Sequence, residues 1–211
     1  SITKNKKSDI IKDFGKNVMI LNPQHLKIFG NNISIGDYAT LITAPDKRID
    51  LSTWETDKIN GELQLGKYIL ISPGTSIRSA QKIVIGDSTM IASDVTITDS
   101  DWHDIYDRTD YVASPKEVII QENVWIGEKS LILKGSKIGK NSIIGAGSVV
   151  SGEVPANVVF AGNLAKEIKK LDEKSFKTRE SLFSESSTYL EDLLTIEKKT
   201  LEHNSLIHWL K

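Results

Sequence analysis

The chain has 211 residues, 39% hydrophobic and 26% charged, which is enough for one well-buried domain with an appendage and leaves no need for a second full domain. Its 27 basic residues against 28 acidic ones give a net charge of -1, so no global field recruits nucleic acid or an anionic membrane. Cysteine is absent, which excludes disulfides, thiolate nucleophiles and thiolate metal sites.

No apolar run reaches the roughly 18 residues that span a bilayer. The Lys-rich start also lacks the apolar stretch of a signal peptide. A soluble, cytoplasmic protein is the expectation.

In chain order, residues 1–25 are expected to form a cap. Ser8 or Asp9 would start a short helix through Ile10, Ile11 and Phe14, and Gly15 would stop it. An aliphatic ladder then begins at Ile35-Gly36-Asp37 and Leu41, and breaks into a polar loop, 43–62, carrying Pro45, Asp46, Lys47, Arg48 and Trp54. Excursions of that length are usually functional or oligomeric. The ladder resumes with Leu65-Gly66, Ile71, Ile77, Ile83, Ile85-Gly86, Ile91 and Ile97, and breaks again at 99–117. It ends in an unbroken run: Ile120, Ile126, Ile132, Ile138, Ile144 and Val150.

A spacing of six belongs to neither a helix, near 3.6, nor an ordinary strand, at 2; it marks hexapeptide β-helix coils. Each six-residue unit makes a short strand and a turn, and three units close one triangular coil with the aliphatics stacked inside. Gly36, Gly66, Gly86, Gly127, Gly139 and Gly145 follow inward aliphatics and suit tight corners. Asn31, Asn32, Asn123 and Asn141 suit the same turns.

The expected fold is therefore all-β, a parallel β-helix over 26–165, with the N-terminal cap and a C-terminal α-helical tail over 166–211. In that tail Tyr189, Leu190, Leu193, Leu194, Glu197 and Leu201 share helical spacing behind a Ser187 cap. The stripe would pack on its own prism or a neighbouring copy, or meet a membrane surface peripherally. His203 and His208 read as surface residues.

Chemistry concentrates in the second loop, Thr98-Asp99-Ser100-Asp101-Trp102-His103-Asp104-Ile105-Tyr106-Asp107-Arg108. Without cysteine, the His103 imidazole is the group there suited to proton transfer. Asp99 and Asp101 could orient its second ring nitrogen, as carboxylates do in triads. The bland alternative is an exposed loop histidine.

Residues 123–169 resemble the signature of the hexapeptide-repeat O-acetyltransferases. The match runs through Asn123-Val124-Trp125-Ile126-Gly127, Ile144-Gly145-Ala146-Gly147-Ser148-Val149-Val150, Val154-Pro155 and Ala161-Gly162-Asn163. The resemblance implies left-handed coils, a homotrimer with sites between adjacent prisms, acetyl-CoA as co-substrate and no metal.

It also implies roles. His103 is the general base that activates a sugar hydroxyl, and the backbone N–H of Glu128 donates to the oxyanion. Gly127, Gly145, Ala146 and Ser151 are assigned to the pantetheine arm and Lys166 and Lys169 to the CoA phosphates; Trp125, also a cofactor-binding candidate, walls the acceptor or pantetheine channel or else packs between subunits. Leu164 stands where the family usually has proline after Gly-Asn.

The 100–108 loop resembles members associated with surface polysaccharide and lipopolysaccharide assembly. Trp102 and Tyr106 would then stack on a sugar face, with Arg108 on a polar or acidic acceptor; loop stabilisation is the competing explanation for all three. Among other classes, a zinc site of three convergent histidines fails on number, since only His25 and His103 lie outside the tail. A noncatalytic β-helix scaffold is the non-enzyme alternative.

Overall fold

A computed structural model describes residues 11–110, 114–172, 176–184 and 188–202. Their strands lie in three sheets of seven, eight and six strands, which form the faces of a prism. The first face runs from Ile11–Phe14 through Ile33–Ile35, Leu63–Leu65, Ile83–Ile85, Val118–Ile120 and Lys137–Ile138 to Glu153–Val154. The second starts at Met19–Leu21 and ends with Val158–Gly162 and Ala165–Lys170, while the third runs from Leu26–Phe29 to Val149–Val150. The chain visits first, second and third face in turn, so the described strands pair in parallel from coil to coil, and Val158–Gly162 pairs antiparallel with Ala165–Lys170.

The ladder is the core. Ile126, Ile132, Ile144 and Val150 are fully buried, Ile120 and Ile138 nearly so. Each such side chain contributes roughly 1.5–3 kcal/mol by leaving water. Alternation within strands sends the next residue outward, which is why Trp125, immediately before Ile126, is 47% exposed.

The corner between first and second faces shows what the glycines do. Coils stack about 4.8 Å apart, and a Cβ on Gly86 would lie 2.6 Å from the backbone of Gln121 and Glu122 in the next coil. None of Gly36, Gly66, Gly86, Gly127, Gly139 or Gly145 has a positive φ. Their smallness answers axial crowding rather than a special dihedral.

The left-handed turn residue comes two positions later: Asn17, Tyr38, Tyr68, Ser88, Asn123, Asn141 and Asn157 all have φ between 52° and 59°. Asn123 donates through Nδ2 to Asn141 Oδ1, and Asn141 donates likewise to Asn157, both at 2.9 Å. Asn31 and Asn32 play no such part; the Asn32 amide donates to the Gly61 carbonyl at 3.2 Å.

Three expectations change. Ile11–Phe14 is a strand paired with Ile33–Ile35, not a helix. Coil register outweighs the helical spacing of Ile11 and Phe14, and Gly15 is the first glycine of the crowded corner. Loop 43–62 is interrupted by the strand Ile49–Thr53, whose Ile49 and Leu51 are fully buried. Ala165–Lys170 is a strand hydrogen-bonded to Val158–Gly162 rather than part of a helical tail.

Lys177–Lys211 forms a separate compact unit containing helices Glu180–Ser184 and Tyr189–Glu202. Within it Phe183 meets Tyr189 edge-on at 5.1 Å between ring centroids. Ser8, Asp9, Ile10, Ser187, His203 and His208 lie outside the described residues. Among the described residues no helix is long and apolar enough to cross a membrane.

Candidate active site

Both long excursions leave the prism where the third face turns into the first. The tight form of that corner is Ala80-Gln81-Lys82; one coil before it the chain runs out through 54–62, and one coil after it through 99–117. The two loops therefore emerge on the same side and touch. Lys58 Nζ reaches Asp110 Oδ1 at 2.8 Å. Trp102 meets Trp54 edge-on at 5.6 Å, and Trp54 packs on Phe29 at 4.7 Å.

Asp99 forms the base of the second loop. It is fully buried; its Oδ1 accepts from Ala80 N–H at 2.7 Å, and its Oδ2 accepts from the Ser79 hydroxyl and the N–H groups of Gln81 and Lys82 at 2.7–2.9 Å. That carboxylate holds the loop to the coil below and does not serve as the imidazole's partner, contrary to the expectation for Asp99. Asp101 is likewise engaged elsewhere, in an ion pair with Lys134 at 2.6 Å. Lys134 also donates to the Ser114 carbonyl at 3.2 Å, so one lysine ties both limbs of the loop to the prism.

His103 is exposed, and its Nδ1 lies 3.1 Å from the Arg108 carbonyl. That carbonyl is fixed by a turn built on two carboxylates. Asp104 Oδ1 accepts from the N–H groups of Tyr106 and Asp107, and Asp107 Oδ1 accepts from the hydroxyl and N–H of Thr109.

The Asp107 N–H, then that of Tyr106, holds the Asp104 carboxyl below its ordinary value, and the Thr109 hydroxyl does the same for Asp107. The turn is thus intact at neutral pH and weakens only as pH falls through those depressed values. Trp102, at φ 65°, is an outlier for a bulky residue; its indole N–H donates to Thr98 Oγ1 at 3.3 Å. Tyr106 is 92% exposed, and Arg108 is exposed as well.

The remaining candidates lie elsewhere. Gly127, Glu128, Gly145 and Ala146 occupy the corner between second and third faces, where the Gly147 N–H donates to the Glu128 carbonyl at 2.7 Å. At Gly127 a Cβ would stand 2.5 Å from the Ala146 nitrogen, which explains the glycine. Lys47 reaches that corner from its loop and pairs with Asp94 at 2.6 Å, a bond that raises the lysine's pKa.

Ser151 is exposed at the third-to-first corner, and Trp125 stands on the second face. Lys166 and Lys169 are exposed on the terminal strand, opposite Ala161 and Val159. Within one chain, then, the His103 corner and the Glu128 corner are separated by the width of the third face. Sequence reasoning missed Phe29, Lys58 and Lys134; their shared corner is the signal, visible only once the coil register is known.

Residues 117–152 match the family model "Bacterial transferase hexapeptide (six repeats)". Over 126 residues the chain is 38% identical to the Escherichia coli protein named "Putative lipopolysaccharide biosynthesis O-acetyl transferase WbbJ", covering 54% of this chain and 64% of that one. Over 98 residues it is 40% identical to a galactoside O-acetyltransferase of Lactococcus lactis, covering 46% and 47%. The chain thus spans about half to two thirds of the length of these relatives.

A hexapeptide-repeat acetyltransferase from Vibrio cholerae, solved with acetyl coenzyme A, superposes with a TM-score of 0.52 at 19% identity over 78% of this chain and 73% of that one. The resemblance carried by Asn123–Gly127 and Ile144–Val150 is thereby supported: the fold is a left-handed β-helix, residues 117–152 match bacterial transferase hexapeptide repeats, and the chain is similar to proteins named as O-acetyltransferases.

Proposed function

We propose that the protein transfers acetyl from acetyl-CoA to a hydroxyl of a sugar or cell-surface glycan precursor. The observation that carries this is the His103 contact. With Nδ1–H donating to the braced Arg108 carbonyl, the ring's lone pair lies on Nε2, the tautomer a general base needs. His103 takes the proton of the acceptor hydroxyl as its oxygen attacks the thioester carbonyl. The Glu128 N–H stabilises the oxyanion. The C–S bond then breaks, and the proton returns from His103 to the departing CoA sulfur. Direct transfer of this kind involves no acyl-enzyme and no metal.

Because the base corner and the amide corner stand apart in one chain, a site holding both is completed by a neighbouring copy, in a cytoplasmic homotrimer. An outward apolar column on the second face, Leu70, Met90, Trp125, Ile143 and Val159, supports such an assembly. Trp125, Gly127, Gly145, Ala146 and Ser151 are assigned to the pantetheine arm, and Lys166 and Lys169 to the phosphates. Trp102, Tyr106 and Arg108 face the acceptor. Similarity to a relative named for lipopolysaccharide biosynthesis supports a surface-glycan acceptor.

The test is calorimetric titration with acetyl-CoA, followed by thiol release with a panel of sugars and glycan precursors. Binding with acceptor-dependent release is expected; no binding of any acyl-CoA would overturn the proposal in favour of a noncatalytic scaffold.

A further inference from the structure

Arg78 lies outside everything described so far. It sits on the third face in the strand Ser76–Ser79, exposed, in register between Ser52 and Thr98. Those neighbours define its surroundings. The Thr98 hydroxyl accepts from the Trp102 indole, and the residue after Arg78, Ser79, accepts the Trp54 N–H at its carbonyl at 2.9 Å. The guanidinium therefore leaves the sheet between the anchor points of the two tryptophans.

Phe29 continues the same outward row beyond Ser52, which makes a ribbon of Phe29, Trp54 and Trp102 leading to His103, with one arginine beside it. Three carboxylates near this region are engaged elsewhere: Asp50 with Lys27, Asp110 with Lys58 and Asp101 with Lys134. Among the described residues Arg78 has no ion pair.

Aromatic rings in a row offer stacking surface to the apolar faces of sugar rings, and a guanidinium beside them offers a two-pronged donor for an oxyacid. A lone exposed arginine on a packed sheet would be neutral to stability, and nothing in the prism needs its charge.

We propose that Arg78, with Trp54 and Trp102, forms an acceptor subsite that binds an anionic group of an extended glycan, the carboxylate of a sugar acid or a phosphate on a sugar. The proposal rests on the acetyl-transfer reading for its biological meaning. The binding itself is independent of acetyl-CoA, so the two can fail separately.

Intrinsic tryptophan fluorescence of the full chain is titrated, without acetyl-CoA, with oligogalacturonate, with a maltooligosaccharide of equal length, and with glucose 6-phosphate. The wild type should bind at least one acidic probe roughly tenfold or more tightly than the neutral one. Arg78→Gln should abolish that preference while leaving the neutral probe's affinity unchanged, and Arg78→Lys should retain part of it.

Preference for oligogalacturonate identifies a carboxylate ligand, and preference for glucose 6-phosphate a phosphate. Equal affinity for all three probes, no binding of either acidic probe, or an acidic preference that survives Arg78→Gln would overturn the subsite. Calorimetry with acetyl-CoA on the same sample reports on the transfer reaction alone.

Discussion

Two corners of one prism are built on opposite principles. Where the first face turns into the second, every coil makes the same tight turn: a small residue packed on the coil above in most of them, then a left-handed residue, most often Asn. Where the third face turns into the first, two turns are replaced by excursions that carry Trp54, Trp102 and His103. The first corner has no freedom because each turn is clamped by its neighbours along the axis. The other is free to extend because a loop leaving sideways does not disturb the stack, provided that its base is tied down, and Asp99 ties it.

The contrast can be broken at either corner. The largest effect on stability is expected for Gly86→Ala, whose Cβ would meet backbone 2.6 Å away. It should cost about 3 kcal/mol in urea unfolding, whereas Gly152→Ala, with nothing within 4 Å but φ 90°, should cost roughly 1–2 kcal/mol.

Next, Asp99→Ala leaves three backbone N–H groups unmatched, while the Ser79 hydroxyl keeps the Glu62 carbonyl at 2.9 Å. A loss of about 2 kcal/mol is expected, together with a fall in thiol release, since the His103 loop loses its base; an unchanged rate would show that the loop holds its place without Asp99. Asn141→Ala interrupts the asparagine ladder at two hydrogen bonds and should cost about 1 kcal/mol, with thiol release unaffected. Smallest is Lys58→Ala: the pair with Asp110 is exposed on both sides, so the urea midpoint should not move measurably.

The two corners also differ in how far they could be read from the sequence. Inward aliphatics at a fixed spacing of six are dictated by the prism alone, so Ile120 to Val150 announced the fold without any tertiary knowledge. Ile11–Phe14 and Ile49–Thr53 escaped because their local patterns, a helix-like spacing and a polar alternation, satisfy other structures equally well; only pairing with neighbouring coils decides them.

At the candidate site His103 and its loop could be singled out from the sequence, yet the contacts the loop makes could not. The bond from Nδ1 to the Arg108 carbonyl depends on a turn folded by Asp104 and Asp107, and the use of Asp99 as a backbone clamp depends on which corner lies beneath it. Trp54 reaches Trp102 across 48 residues of sequence for the same reason.

The central claim is that the loop corner carries the chemistry while the tight corner carries the fold. His103→Ala tests it most directly, measured for thermal unfolding and for acceptor-dependent thiol release from acetyl-CoA in the same preparation. The account predicts an unchanged midpoint with release lowered by about 10²–10⁴-fold. A folded variant that transfers acetyl at the wild-type rate would contradict it.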